Sequence, residues 1–155
     1  MKHEFNATPD QVYALLTNAR WLETRSLAMG ELSAKVNVKK TPHGLNVSMK
    51  RRLRRDLPAL VAKVLPSESD VQFEEVWCRD GDGYTGNWTM AMVGQPVKAA
   101  AEFSLRPHGK GSCYSINHET TCSIAFVGGA VARFAQGQIE TATQAEMDFL
   151  ARALC

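Results

Sequence analysis

The chain reads as an α+β domain in which a curved antiparallel sheet of six to seven strands wraps around one long carboxy-terminal helix. Three observations predict this. Within Ala125–Cys155 the apolar residues from Val131 onward fall at Phe134, Ala135, Ile139, Ala142, Ala145, Phe149 and Leu150, a spacing of threes and fours that lays them along one side of a helix. Upstream, segment after segment alternates apolar and polar residues with a period of two, each offering one apolar face to bury. The remaining helical signals are confined to two short pieces after the first strand. A helix with one apolar stripe and a sheet with one apolar face satisfy each other by packing together.

Met1–Asn6 reads as the first strand. Thr8-Pro9-Asp10-Gln11 is a capping box with proline at the first helical position, and the helix it opens turns Val12, Leu15 and Leu16 inward. A second amphipathic piece, from Asn18 to Met29, carries Trp21, Leu22, Leu27 and Met29 and stops at Gly30. The second strand alternates Leu32, Ala34, Val36 and Val38 with polar residues, and Thr41-Pro42-His43-Gly44 turns it into a third bearing Leu45, Val47 and Met49. Leu57–Leu65, bracketed by Pro58 and Pro66, is a helical turn or two. Val71, Phe73, Glu75 and Trp77 share one face of the fourth strand, and Asp80-Gly81-Asp82-Gly83 makes the next turn. The fifth strand offers Tyr84, Trp88, Met90 and Met92. The sixth offers Val97, Ala99, Ala101, Phe103 and Leu105, and the seventh Tyr114, Ile116, His118, Thr120 and Cys122. Gly128-Gly129 lets the chain swing from strand to helix with a close backbone approach. Gly137 interrupts the helix at a cost of about 1 kcal/mol against alanine; it marks either a bend, with room beside the alanine-rich face, or a tight backbone contact.

Composition narrows the function classes. A chain of 155 residues suits one domain, spanning 1–155. A net charge of +2 lacks the strong basic excess of a general nucleic-acid binder, and no nucleic acid is expected as a partner. The first residues carry no apolar run of the signal-peptide kind and no stretch reaches membrane-span length, so a cytoplasmic location is expected. Cys78, Cys113, Cys122 and Cys155 show no short paired spacing, and no histidine completes a metal-ligand pattern. No cofactor, metal or catalytic assignment follows.

The element order resembles the helix-grip fold of the Bet v 1 and START-like superfamily, also called SRPBCC, over essentially the whole chain. More narrowly, Leu57-Pro58-Ala59-Leu60-Val61, the Glu75-x-Trp77 pair and Phe126-Val127-Gly128-Gly129 resemble the pattern of the uncharacterised bacterial family called domain of unknown function 2505. The superfamily resemblance implies a cavity between curved sheet and terminal helix that relatives use to bind lipids, sterols, polyketides or plant hormones, and in some cases to catalyse cyclisation. One scaffold hosts many activities, so the site must decide.

Candidate polar groups for such a cavity are few. Glu75 shares the inward register of Phe73 and Trp77, where an isolated carboxylate shifts its pKa upward or finds a partner; Arg51, which continues the register of Val47 and Met49, is one partner within the pattern, and the plainer reading is that Glu75 lies on a frayed or bulged stretch or pairs with a surface lysine. His118 sits between Ile116 and Thr120, either as a hydrogen-bonded core histidine or as a group that orients a ligand or moves a proton. Trp77, Trp88, Met90, Met92, Phe103, Tyr114, Ile116 and Phe134 are the expected apolar walls, although core filling would use the same residue types.

Lys50-Arg51-Arg52-Leu53-Arg54-Arg55 is the densest charge run. Beside the apolar Leu57–Leu65 segment it reads either as a solvated strand end or as a peripheral contact with anionic membrane through Lys50, Arg51, Arg52, Arg54 and Arg55. The leading functional expectation is non-enzymatic binding of a hydrophobic small molecule or lipid, with transport as its extension. A polyketide cyclase-like enzyme using His118 or Glu75, and an interaction module with a solid core, are the alternatives.

Overall fold

The computed structural model describes residues 1–155. Its elements are β1 (Lys2–Phe5), α1 (Pro9–Leu16), α2 (Ala19–Ala28), β2 (Ser33–Thr41), β3 (Gly44–Arg54), α3 (Ala59–Ala62), β4 (Glu68–Asp80), β5 (Gly83–Met92), β6 (Val97–His108), β7 (Gly111–Cys122) and α4 (Gly128–Ala153). All strands join one antiparallel sheet in the order β1-β7-β6-β5-β4-β3-β2. From β2 to β7 this is a meander, each strand pairing with its successor in sequence. β1 alone lies across the sheet, at the edge beside β7. The connection from β1 to β2 therefore has to travel from one edge of the sheet to the other, and α1 and α2 are that connection. No helix is long and apolar enough to cross a membrane.

Local chemistry explains the boundaries. At the start of α1 the Thr8 hydroxyl accepts from the Gln11 amide at 3.2 Å while the Gln11 side chain accepts from the Thr8 amide at 2.9 Å, so two otherwise unmet donors are satisfied. The Asn18 side chain caps α2 by accepting from the Trp21 amide at 2.9 Å. At the start of α4 a Cβ on Gly128 would come within 2.5 Å of the Cys122 carbonyl oxygen, so glycine is required where helix leaves strand. The helix begins there, not at Ala125. Ala125–Val127 form a turn instead, with Phe126 in the left-handed region (φ 66°) and fully exposed.

Two helix faces differ from those the spacing predicts. In α2 the buried residues are Leu22, Arg25 and Ser26, while Leu27 is exposed. The helix is rotated so that an arginine enters the interior, and the cause is a buried carboxylate waiting for it there. In α4 Ala145 faces water, whereas Thr143, Met147 and Leu150 are buried. Leu32 also turns out exposed, just ahead of β2.

The interior is divided. Under α1 it is solid with aromatic rings: Tyr13 stacks on Tyr84 at 4.0 Å between centroids, Trp77 meets Phe103 at 4.5 Å, and Phe103 meets Tyr114 at 5.7 Å. Gly86 makes this possible, since a Cβ there would lie 2.3 Å from the Phe103 ring. At the opposite end a small cluster of Val61, Leu65, Val97 and Val131 ties α3 and the β5–β6 turn to the first turn of α4. Between these two packed regions the alanine-rich face of α4 does not reach the sheet.

Gly137 has neither of the roles its position suggests. It is exposed, no atom lies within 4 Å of where its Cβ would stand, and α4 runs through it without interruption. Gly137→Ala should therefore raise unfolding free energy by about 0.5–1 kcal/mol, measured by urea denaturation. A loss of stability would mean that the glycine is held by a contact absent from this structure.

Candidate binding cleft

The gap between α4 and the sheet is a cleft of about 120 Å³, partly open to solvent. Its helix wall is Phe134, Ala135, Ile139 and Ala142, and its sheet wall is Phe73, Trp88, Met90 and Met92 from β4 and β5. Leu57 and Leu65, on either side of α3, close one end. Part of the helix wall is small: Ala135 and Ala142 stand where longer side chains would fill the space.

The floor is ionic. The Arg51 guanidinium, on β3, donates through Nη1 to Glu146 Oε1 of α4 at 2.7 Å, and Arg25 Nη2 from α2 approaches Glu146 Oε2 at 3.4 Å. Glu31, in the α2–β2 connection, stands 3.9 Å from Arg51 Nη1 and accepts from Arg55 Nη2 at 3.3 Å. The Arg51 guanidinium also lies 3.9 Å above the Phe73 ring, a cation–π contact inside the protein. Side-chain exposure is 3% for Arg25, 6% for Arg51, 6% for Glu31 and 14% for Glu146. Yet the Nε atoms of Arg25 and Arg51 and Oε2 of Glu31 are buried without any partner. Such atoms are costly to leave unmet and mark a place where something else can bond.

Glu75 and Glu146 are driven in opposite directions. Burial pushes the Glu146 carboxyl up, but Arg25 and Arg51 together outweigh it and hold its pKa below the ordinary glutamate value. Glu75 lies on the inner register between Val47 and Trp88. The residue is half-buried, and burial of its carboxyl dominates: its pKa is raised, against the opposing pull of the Trp77 indole, which donates to Oε2 at 2.7 Å, and of Arg25. Its partner is thus Trp77, neither a surface lysine nor Arg51, which is already engaged by Glu146.

Of the residues singled out from sequence as walls or polar groups of a cavity, Arg51, Trp88, Met90, Met92 and Phe134 line the cleft. Trp77, Phe103, Tyr114 and Ile116 do not; they belong to the packed aromatic half. His118 stands behind the wall with its ring edge-on to Trp88 at 4.7 Å, its Nε2 buried and unpartnered, and burial lowers its pKa, favouring the neutral ring. The basic run is divided by strand alternation: Arg51 turns inward, Arg52 pairs with Glu68 and Asp70, Arg54 with Glu68, and Arg55 with Glu31. Lys50 alone in that run has no carboxylate partner.

A long helix laid over an antiparallel meander is a fold shared with known proteins. The model of the family described as "Protein of unknown function (DUF2505)" matches residues 1–154. The chain belongs to that family. No curated protein matches this DUF2505 chain. Its fold is similar to protein CV1439 from Chromobacterium violaceum (16% identity, TM-score 0.56, covering 99% of this chain and 94% of that one) and to TTHA0849 from Thermus thermophilus (14%, 0.64, 100% and 97%). Protein Ms6760 from Mycobacterium smegmatis is similar too (15%, 0.60, 99% and 87%). At these identities the likeness concerns the fold alone.

Three residues of the DUF2505 floor escape a reading of sequence patterns: Arg25, Glu31 and Glu146. Two left a signal. Arg25 follows Leu22 by three on the buried side of α2, and Glu146 stands four residues from both Ala142 and Leu150, on the stripe assigned to the core. Both are charges on an apolar register. Glu31 lies outside any periodic segment and left none.

The floor makes two predictions. Glu146→Gln leaves two buried guanidinium groups short of their carboxylate and should cost about 3–5 kcal/mol in chemical denaturation. Glu75 acts in the other sense: its folded pKa is raised, so its contribution is complete below the unfolded glutamate value and is lost as pH rises through the folded one. Glu75→Gln should abolish that decline, being at least as stable as the parent at pH 8 and losing the advantage near pH 4. Urea unfolding across that range is the measurement, and a variant weaker than the parent at pH 8 would contradict the assignment.

Proposed function

We propose that this DUF2505 protein binds a small hydrophobic molecule in the cleft between α4 and the sheet. The observation that carries the reading is an unfilled, largely apolar space lined by Arg51 and Glu31, each of which keeps a buried polar atom without a partner. A packed core would have closed the first and satisfied the second. Apolar walls with a few fixed polar groups are the usual make-up of a small-molecule site.

Volume sets the scale of the occupant. Cavities of roughly 150 Å³ hold benzene, so about 120 Å³ matches a molecule built around one ring or a short chain. A long lipid fits only with its remainder outside the mouth or after α4 moves away from the sheet. Trp88 and Met90 would give the guest its polarizable contacts, and Phe134 would cover it.

A ligand that binds only the folded state raises stability by mass action. Toluene near saturation should therefore raise the melting temperature of the parent protein, and Ala142→Trp, which fills the cleft from the helix side, should abolish the increase while keeping the parent's circular dichroism. An equal response in both proteins, or none in the parent, would remove the proposal.

A further inference from the structure

The binding proposal leaves open which end of a guest meets the floor, and the floor itself is selective. Two lining side chains carry the free atoms: Arg51 offers an N–H at Nε, and Glu31 offers an acceptor at Oε2. Both side chains are 6% exposed, and Arg51 Nη1 stands 3.9 Å from Glu31 Oε1, so the group with the free donor and the group with the free acceptor are neighbours in the cleft wall.

Charge decides what head group the floor admits. The buried set is balanced, with Arg25 and Arg51 facing Glu31 and Glu146 and with Glu75 held toward its neutral form by burial, while Arg55 is a third exposed and its charge is met partly by water. An incoming carboxylate would compete with Glu31 and Glu146 for Arg51 and set a third negative charge beside two. An ammonium would meet Glu31 only by standing against Arg51 and Arg55. Burying either ion carries a desolvation cost that an already neutralised floor does not repay. The face of the Arg51 guanidinium is also taken by Phe73, which leaves only its edge for bonding.

Resting on the cleft proposed above, we infer that the ligand is a small molecule with an apolar, ring-sized body and an uncharged head that both donates and accepts a hydrogen bond, an alcohol or primary amide, and that Glu31 and Arg51 read this head. The hydroxyl donates to Glu31 Oε2 and accepts from Arg51 Nε. The body lies between Phe73, Trp88 and Phe134. Fatty acids and other carboxylates are thereby disfavoured, although the site contains arginine.

A matched series on one ring tests this with the intact protein: toluene, benzyl alcohol, benzamide, benzoate and benzylammonium, each titrated at pH 7 and followed by tryptophan fluorescence and by amide shifts in β3 and α4. Benzyl alcohol and benzamide should bind about tenfold more tightly than toluene, the effect of hydrogen bonds to charged groups in a shielded site, and at least about tenfold more tightly than either ion. Benzoate matching the alcohol overturns the inference, and so does an alcohol no tighter than toluene; in both cases toluene binding leaves the cleft itself standing. Absence of binding by all five removes the inference and the cleft together. Glu31→Gln, with its fold verified by circular dichroism, takes one negative charge from beside Arg51 and should move the preference toward benzoate. An unchanged ranking in that variant contradicts the role given to Glu31.

Discussion

The structure is organised by the ion pair between Arg51 and Glu146. It joins the middle of β3 to the carboxy-terminal half of α4, and through Arg25 it also ties in α2. These elements come from distant parts of the chain, and the other contacts among them are mainly apolar and non-directional. A buried pair at 2.7 Å has a required geometry, so it fixes the angle at which the helix lies on the sheet. Buried pairs are weak evidence for stability in themselves. Here their effect is positional: with α4 held at Glu146, and again at its first turn by Val131, the alanine face between them stays clear of the sheet.

The two halves of the interior show the alternative. Under α1, Tyr13 enters from the helix side and completes a continuous set of rings with Trp77, Tyr84, Phe103 and Tyr114. Under α4 the positions that follow Phe134 along the cleft include alanine, isoleucine and threonine, which are too short to repeat that packing. A solid interaction module would be filled in both halves. A large carrier would be empty in both. The observed division gives a small site backed by a rigid aromatic block, with Trp88 touching the boundary: it lines the cleft on one side and meets His118 on the other.

Much of the architecture was legible in the residues because period-two and period-3.6 patterns report which face is apolar, and caps such as Thr8–Gln11 report where helices start. The strand registers of Trp88 and Met90 placed them toward the helix, where they are found. What periodicity cannot report is volume. Trp77, Phe103 and Tyr114 share the inward register of Trp88, and whether such a residue walls a space or fills one depends on Tyr13 and Gly86, which stand opposite in space and far away in sequence. Charge was the other obstacle. A pattern search treats Arg25 and Glu146 as breaks in an apolar face, whereas each explains the other's burial once the two helices are brought together.

The sheet order has a bearing on how the molecule assembles. Strands β2 to β7 are joined by neighbouring hairpins, so five of the six strand pairings close over short stretches of chain, while β1 meets β7 with Lys2 opposite Ser115. Loop-closure entropy makes that last pairing the slow one. It brings with it α1 and α2, and so both Tyr13 and Arg25: the chain's opening residues act as a latch, and until it closes the aromatic block and the ionic floor each lack a member.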